Sequence, residues 1–136
     1  GAIARSLECA GGHGIIVPAT GGAAINADAV KASAGALMRI DTCKVSNLRV
    51  AAYYLQQSGF KLVAATEKTD KMMYDVDMTG RCAIIMGSEG KGISQSMLEL
   101  ADDRAAVPMA GEITSLNVSV ASAVLMYEAV RQRINK

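Results

Sequence analysis

Four short apolar runs constrain this chain more than any other feature. They are "GIIVP" (14–18), "FKLVAAT" (60–66), "CAIIMG" (82–87) and "AAVPM" (105–109). Each is too short for a stable buried helix, and none alternates cleanly between apolar and polar. A run of this kind is a strand buried on both faces. Stretches with helical period lie between the runs. Strands that alternate with helices imply βαβ units, so the expected fold is α/β, a parallel sheet with helices on both faces. In such sheets ligands bind outside the carboxyl ends of the strands. Here those ends are Thr66, Gly87 and Met109, each followed by a polar or glycine-containing loop.

The spacing predicts a helix over 2–10, with Ile3, Leu7 and Ala10 on one face. "GGHG" (11–14) breaks it, and Pro18 closes the first strand. A loop at 20–26 and a helix over 28–37, capped by Asn26, lead to a strand over 38–43. Ser46 is placed to cap a helix that runs to Ser58 and stops at Gly59. The polar stretch 67–81 reads as a long connection. Helices are expected over 94–101 and 115–132, with Ser115 as the N-cap of the second. Leu116, Val120 and Val124, widened by Ala121 and Leu125, form its expected buried face.

At 136 residues the chain suits one domain, and 51% hydrophobic residues supply its core. A net charge of +1 gives no general pull on polyanions, so binding to nucleic acid requires a local basic patch or help from elsewhere. The apolar runs are far too short to span a bilayer, and no leading segment reads as a signal peptide. Cys9, Cys43 and Cys82 are odd in number and far apart, without a C-x-x-C pair. They read as reduced, mostly buried cytosolic thiols, with no metal site. His13, alone in a glycine turn, reads as structural.

Two loops hold the candidate chemistry. "MGSEGKG" (86–92) follows a strand and precedes a helix. It is not a Walker loop, because Gly92 follows Lys91, and its glycines reverse the dinucleotide spacing. A tight turn that needs glycines and a loop that lets a ligand approach the backbone both fit it. Glu89 at its centre is a candidate acceptor for a hydroxyl or cationic ligand. The second loop, "AVPMAGEITSLNVSVA" (106–121), bends at Pro108 and Gly111. Ser115 and Asn117 fall in the first helical turn, where backbone N–H groups lack partners, so a plain cap and a ligand contact both remain open. Ser119 and Ser122 read as small packing residues. Arg5 lies off the apolar face of the first helix, as a surface arginine would.

Taken together and in order, three stretches resemble the SpoU/TrmH family of RNA 2′-O-ribose methyltransferases, of the knotted SPOUT class. Gly1 and Arg5 in "GAIARSLECAGGHGIIVP" match the glycine and arginine of the family's first motif N-x-G-x-x-x-R. "IIMGSEGKGIS" (84–94) matches the second motif, and "VPMAGEITSLNVSVASAVLMYEAVRQR" (107–133) the third. The wording is most similar to the branch that methylates a guanosine ribose in 23S ribosomal RNA. The sequence begins inside the first motif, so 1–136 is expected to be a SpoU-type catalytic domain without the first strand or an N-terminal RNA-binding domain.

The resemblance implies a C-terminal deep trefoil knot and S-adenosylmethionine as cofactor, held near Thr66, Gly87, Val107, Met109 and Leu116. It also implies a catalytic neighbourhood of Arg5, Glu89, Ser115 and Asn117, an RNA substrate, a homodimer, and a cytoplasmic protein with no metal and no membrane. Methyl transfer to a ribose 2′-hydroxyl needs that weak acid positioned and relieved of its proton. A guanidinium hardly ever gives up its proton, so Arg5 serves as a phosphate clamp or stabilises developing alkoxide. Glu89 orients Arg5 or takes the proton. Two alternatives remain: a tRNA 2′-O-methyltransferase, and a non-catalytic RNA-binding or assembly module with the same fold. A nicotinamide-dependent oxidoreductase fails on glycine spacing.

Overall fold

A computed structural model describes residues 1–18, 35, 40–88 and 91–134. The 20–26 loop, the helix expected over 28–37 apart from Gly35, and Glu89 lie outside the described residues. The chain divides into two units, Gly1–Ala51 and Ala52–Lys136.

In the first unit, helix α1 (Ala2–Cys9) exposes Arg5, as the periodicity predicts, but the expected face of Ile3, Leu7 and Ala10 is only half-buried, and the buried residue is Ala4. Strands β1 (Gly14–Pro18) and β2 (Asp41–Val45) pair in parallel, from Gly14 opposite Asp41 to Pro18 opposite Val45. β2 therefore runs later than the expected 38–43. The Asp41 N–H donates to the His13 carbonyl at 3.4 Å, and this bond helps to set the register. Cys9 and Cys43 are exposed, contrary to the expectation for the thiols. Cys9 sits on the open side of a short helix, and Cys43 on the outward face of a two-stranded sheet.

Helix α2 (Leu48–Gln57) begins in the first unit and ends in the second. Asn47, and not Ser46, caps it, its Oδ1 accepting the Val50 N–H at 3.1 Å. An asparagine one residue later competes with serine on equal terms as a cap, so propensity does not choose between them.

The second unit holds a three-stranded parallel sheet in the order β4-β3-β5. Its strands are β3 (Lys61–Ala65), β4 (Cys82–Ile85) and β5 (Asp103–Ala105). Leu62, Val63 and Ala64 on the central strand are all at 0% exposure. Successive side chains point to opposite faces, so β3 is covered on both sides. β5 lies before the expected 105–109. Pro108 cannot donate to a ladder, and Ala106 bridges to Met72 instead. Asp103 anchors the start of β5 through Lys71 at 3.0 Å and Lys61 at 3.3 Å. Between β4 and β5, helix α3 (Gln95–Leu100) is capped by Ser94, whose Oγ accepts the Met97 N–H. The connection 67–81 is not merely a polar tether. It contains a 3-10 turn (Met73–Asp75) and buries Met73, Val76 and Met78 against Val63, Leu125 and Ala129.

The last helix, α4 (Val118–Ile134), starts later than expected and turns a shifted face to the core, keeping Leu125 and the half-buried Val124 of the expected one. Its buried residues are Ser122, Leu125, Met126, Glu128 and Ala129, whereas Val120 is 49% exposed. Apolar residues lie all round this helix, so periodicity did not single out a face. Its C-terminal half clamps the connection. Gln132 donates to the Val76 carbonyl at 2.9 Å and accepts the Met78 N–H at 2.8 Å. Arg133 donates to the Met78 and Gly80 carbonyls at 3.1 and 2.8 Å.

Glu128 is buried at 5% exposure within this clamp and is held by Arg131 at 2.6 Å and Gln132 at 2.7 Å. The Arg131 bond keeps its carboxyl below the usual carboxylate range, against the burial that pushes it up. Burial also pushes the Asp103 carboxyl up, yet Lys71 and Lys61 outweigh it and hold it low. A folded pKa below the unfolded value contributes stability that is complete above the unfolded pKa and lost as pH falls through the folded one. Thermal stability is therefore expected to fall on acidification below about pH 4.5. Glu128→Gln should flatten that part of the profile of melting temperature against pH. A slope as steep as wild type in the variant would remove Glu128 as a cause.

Candidate functional site

The parallel register brings three sequence-predicted positions to one edge. Ala64 lies opposite Ile85 and Ala65 opposite Ala105, so β3, β4 and β5 end at the same level. Thr66, Gly87 and Val107 follow within two residues of those ends, and all three are half-buried. The Thr66 N–H donates to the Ala105 carbonyl at 3.1 Å, while its hydroxyl accepts the Lys68 N–H and turns the chain away from the sheet. Val107 also packs against the core cluster.

The loop after β4 closes on itself. Ser88 and Gly92 pair antiparallel, with the Gly92 N–H donating to the Ser88 carbonyl at 3.0 Å. Its glycines answer two different needs. Gly92 has φ +69°, which side chains with a Cβ avoid. Gly87 faces a close crossing: a Cβ there would meet the Gly92 carbonyl carbon at 2.5 Å. The space beside Gly87 thus belongs to the loop's own backbone.

From Pro108 to Asn117 the chain is exposed and has no regular hydrogen-bonded structure. Met109, Ile113 and Leu116 are 39%, 81% and 40% exposed. Apolar side chains left open beside free backbone groups suit an adenine-like ring, which binds through flat apolar contact and backbone polar groups. The residues fit S-adenosylmethionine in this sense. Ser115 is exposed and caps nothing. The cap of α4 is Asn117, whose Oδ1 accepts the Ser119 N–H at 2.9 Å and the Ser119 hydroxyl at 2.5 Å. The Asn117 carbonyl accepts the first helical bond, from Ala121, at 2.8 Å.

The sequence reading missed this pairing, although asparagine two residues before serine at a helix start is its signal. Ser122 is wholly buried, as a small packing residue would be, and is satisfied within the helix, donating to the Ser119 carbonyl at 2.9 Å. Asn117→Ala is expected to cost about 1 kcal/mol of stability, and Ser115→Ala nearly nothing. Thermal unfolding of both variants checks the assignment, and the reverse ranking would overturn it.

Arg5 is exposed on α1 in the first unit. Among the described residues, no group of three or more His, Cys, Asp or Glu could hold a metal ion. No described helix is long and apolar enough to cross a membrane. A shallow cleft of about 370 Å³ is lined by Tyr74, Asp75, Val76, Asp77, Thr79, Arg131 and Gln132. It shares no residue with the strand-end loops.

Comparison with known proteins agrees with this geometry. The model of the SpoU rRNA Methylase family matches residues 1–127. The 23S rRNA (guanosine-2′-O-)-methyltransferase RlmB of Escherichia coli (strain K12) is 41% identical over 133 residues, covering 98% of this chain and 55% of that protein. The chain thus spans about half the length of the curated relatives it matches. The crystal structure of the SpoU methyltransferase AviRb from Streptomyces viridochromogenes in complex with AdoMet superposes with a TM-score of 0.89 at 31% identity, over 99% of this chain and 55% of that one. The A. aeolicus TrmH/SpoU tRNA modifying enzyme gives 0.87 at 30% identity, over 98% of this chain and 68% of that one. An α/β fold with parallel sheets shared with these structures and a family match over nearly the whole length lead to one assignment: the chain belongs to the SpoU rRNA methylase family.

Proposed function

We propose that this chain is the catalytic domain of an S-adenosylmethionine-dependent RNA 2′-O-ribose methyltransferase that acts on a guanosine of 23S rRNA. The observation that carries the proposal is the convergence of Thr66, Gly87 and Val107 at one carboxyl edge, beside the exposed 107–117 segment. It is supported by family membership and by a relative solved with AdoMet. The backbone near Thr66, Gly87, Val107, Met109 and Leu116 holds the cofactor, which supplies a methyl group on a sulfonium. Arg5 clamps the target phosphate or steadies the oxyanion that forms at the 2′-oxygen. Glu89 orients Arg5 or accepts the hydroxyl proton. Ser115 and Asn117 present polar groups to the substrate from the start of α4.

The same reading includes the family's C-terminal trefoil knot and a homodimer. Ile113 and Val120 leave apolar surface exposed outside the cofactor residues, and an isologous interface is the commonest way to cover such a surface. Ribosomal RNA as substrate puts the protein in the cytoplasm. The test is methyl transfer from labelled donor by the full-length protein to unmodified 23S rRNA, with the product position mapped. One ribose-methylated guanosine is the expected result. Methylation of tRNA alone would move the substrate to the other branch. Binding of RNA without transfer would leave an assembly module.

A further inference from the structure

We propose that Ser119 is a positioning residue for this reaction: it locks the Asn117 carboxamide so that the amino group faces outward, as a donor to an oxygen of the RNA ribose-phosphate. The inference rests on the methyltransferase reading above. A backbone N–H can only donate, so the Asn117 atom opposite the Ser119 N–H must be Oδ1. The Ser119 hydroxyl binds the same oxygen, so it too is the donor. With Oδ1 held twice, Nδ2 is turned away, and among the described residues no acceptor meets it.

Capping alone does not call for this arrangement. One acceptor on one N–H is enough for a cap, and an aspartate there would gain further from the helix dipole. What asparagine adds is a neutral donor, and what the Ser119 hydroxyl adds is a fixed orientation. The lock is anchored from behind. Ser122 is fully buried, and its hydroxyl donates to the Ser119 carbonyl at 2.9 Å, tying this turn to the core. The line Ser122–Ser119–Asn117 thus runs from the interior to an exposed amide.

The experiment uses Ser119→Ala, Ser119→Thr and Asn117→Asp in the full-length protein. Asn117→Asp keeps the cap and loses the donor, so its melting temperature should stay near wild type while kcat falls. Ser119→Ala should lower kcat about 10-fold, short of the roughly 100-fold that a 1 Å misplacement can cost, with KM for both substrates nearly unchanged. Ser119→Thr, which keeps the hydroxyl, should restore kcat. A wild-type kcat in Ser119→Ala, or a loss that Ser119→Thr does not repair, overturns the proposal. Side-chain amide relaxation by NMR separates this outcome from failure of the methyltransferase reading. The Asn117 Nδ2 order parameter should drop below about 0.6 in Ser119→Ala. If it does not drop, the lock is absent whatever the RNA assay gives. If it drops in a protein that transfers no methyl group, the lock stands, and both the activity and the catalytic use assigned to the amide fall.

Discussion

Arg5→Ala is expected to lower methyl transfer by about 100-fold or more, the usual cost of removing a preorganised charge partner from a developing oxyanion. Stability should barely move. Arg5 is exposed on α1, and an exposed substitution typically changes stability by less than about 0.5 kcal/mol. Arg5→Lys should recover little, since a lysine lacks the planar fork that grips a phosphate through two hydrogen bonds. Single-turnover rates beside melting curves check both halves. Full activity in Arg5→Ala would strike Arg5 from the site.

In the proposed homodimer Arg5 is also expected to serve the neighbouring protomer, and mixed dimers test this. The partner variant is Asn117→Asp, which keeps its helix cap and so leaves the fold in place. If Arg5 serves the neighbouring protomer, a dimer of one Arg5→Ala chain and one Asn117→Asp chain contains one intact composite site. Activity should then return to a sizeable fraction of wild type. Silence from heterodimers confirmed by mass spectrometry would mean that Arg5 works within its own chain.

The second large effect is expected at Gly87. Gly87→Ala should abolish S-adenosylmethionine binding and lower stability by about 1–3 kcal/mol, the range for forcing extra volume into a closed space. The added Cβ meets backbone at 2.5 Å and not the yielding end of a side chain, so the loop itself has to move. Gly92→Ala is the control. There an added Cβ has no atom within 4 Å, and the cost is the strain of φ +69°. Calorimetry and melting curves together separate fold from site. An unchanged melting temperature in Gly87→Ala would mean that the backbone crossing is absent. A lowered one with unchanged affinity would mean that the cofactor binds elsewhere.

Much of this was legible along the chain. The apolar runs marked β1, β3 and β4 to within two residues, because a strand buried on both faces leaves almost no room for polar side chains. Ser94 at the start of α3, Gly59 at the end of α2 and Arg5 on the open side of α1 were read correctly from local chemistry. The family followed from the order of three motifs.

Other features were decided where several local choices are nearly equal in energy and distant contacts choose among them. Asn47 displaced Ser46 and Asn117 displaced Ser115, because serine and asparagine cap equally well and the packed helix sets where the turn begins. The buried face of α4 could not be read from a helix that is apolar all round. It was settled by Val63, Met73, Val76 and Met78, which Leu125 and Ala129 meet in the core. The stretch 67–81 looked like a tether because its apolar residues follow neither period, and only the clamp of Gln132 and Arg133 shows why they are buried. By itself, then, the sequence determined the α/β class, the ends of β1, β3 and β4 to within two residues, and the family. The tertiary structure decided which caps hold, which helix face is core, and that the Gly87 loop closes on its own backbone. Those outcomes depend on contacts between residues far apart in the chain, which no local pattern encodes.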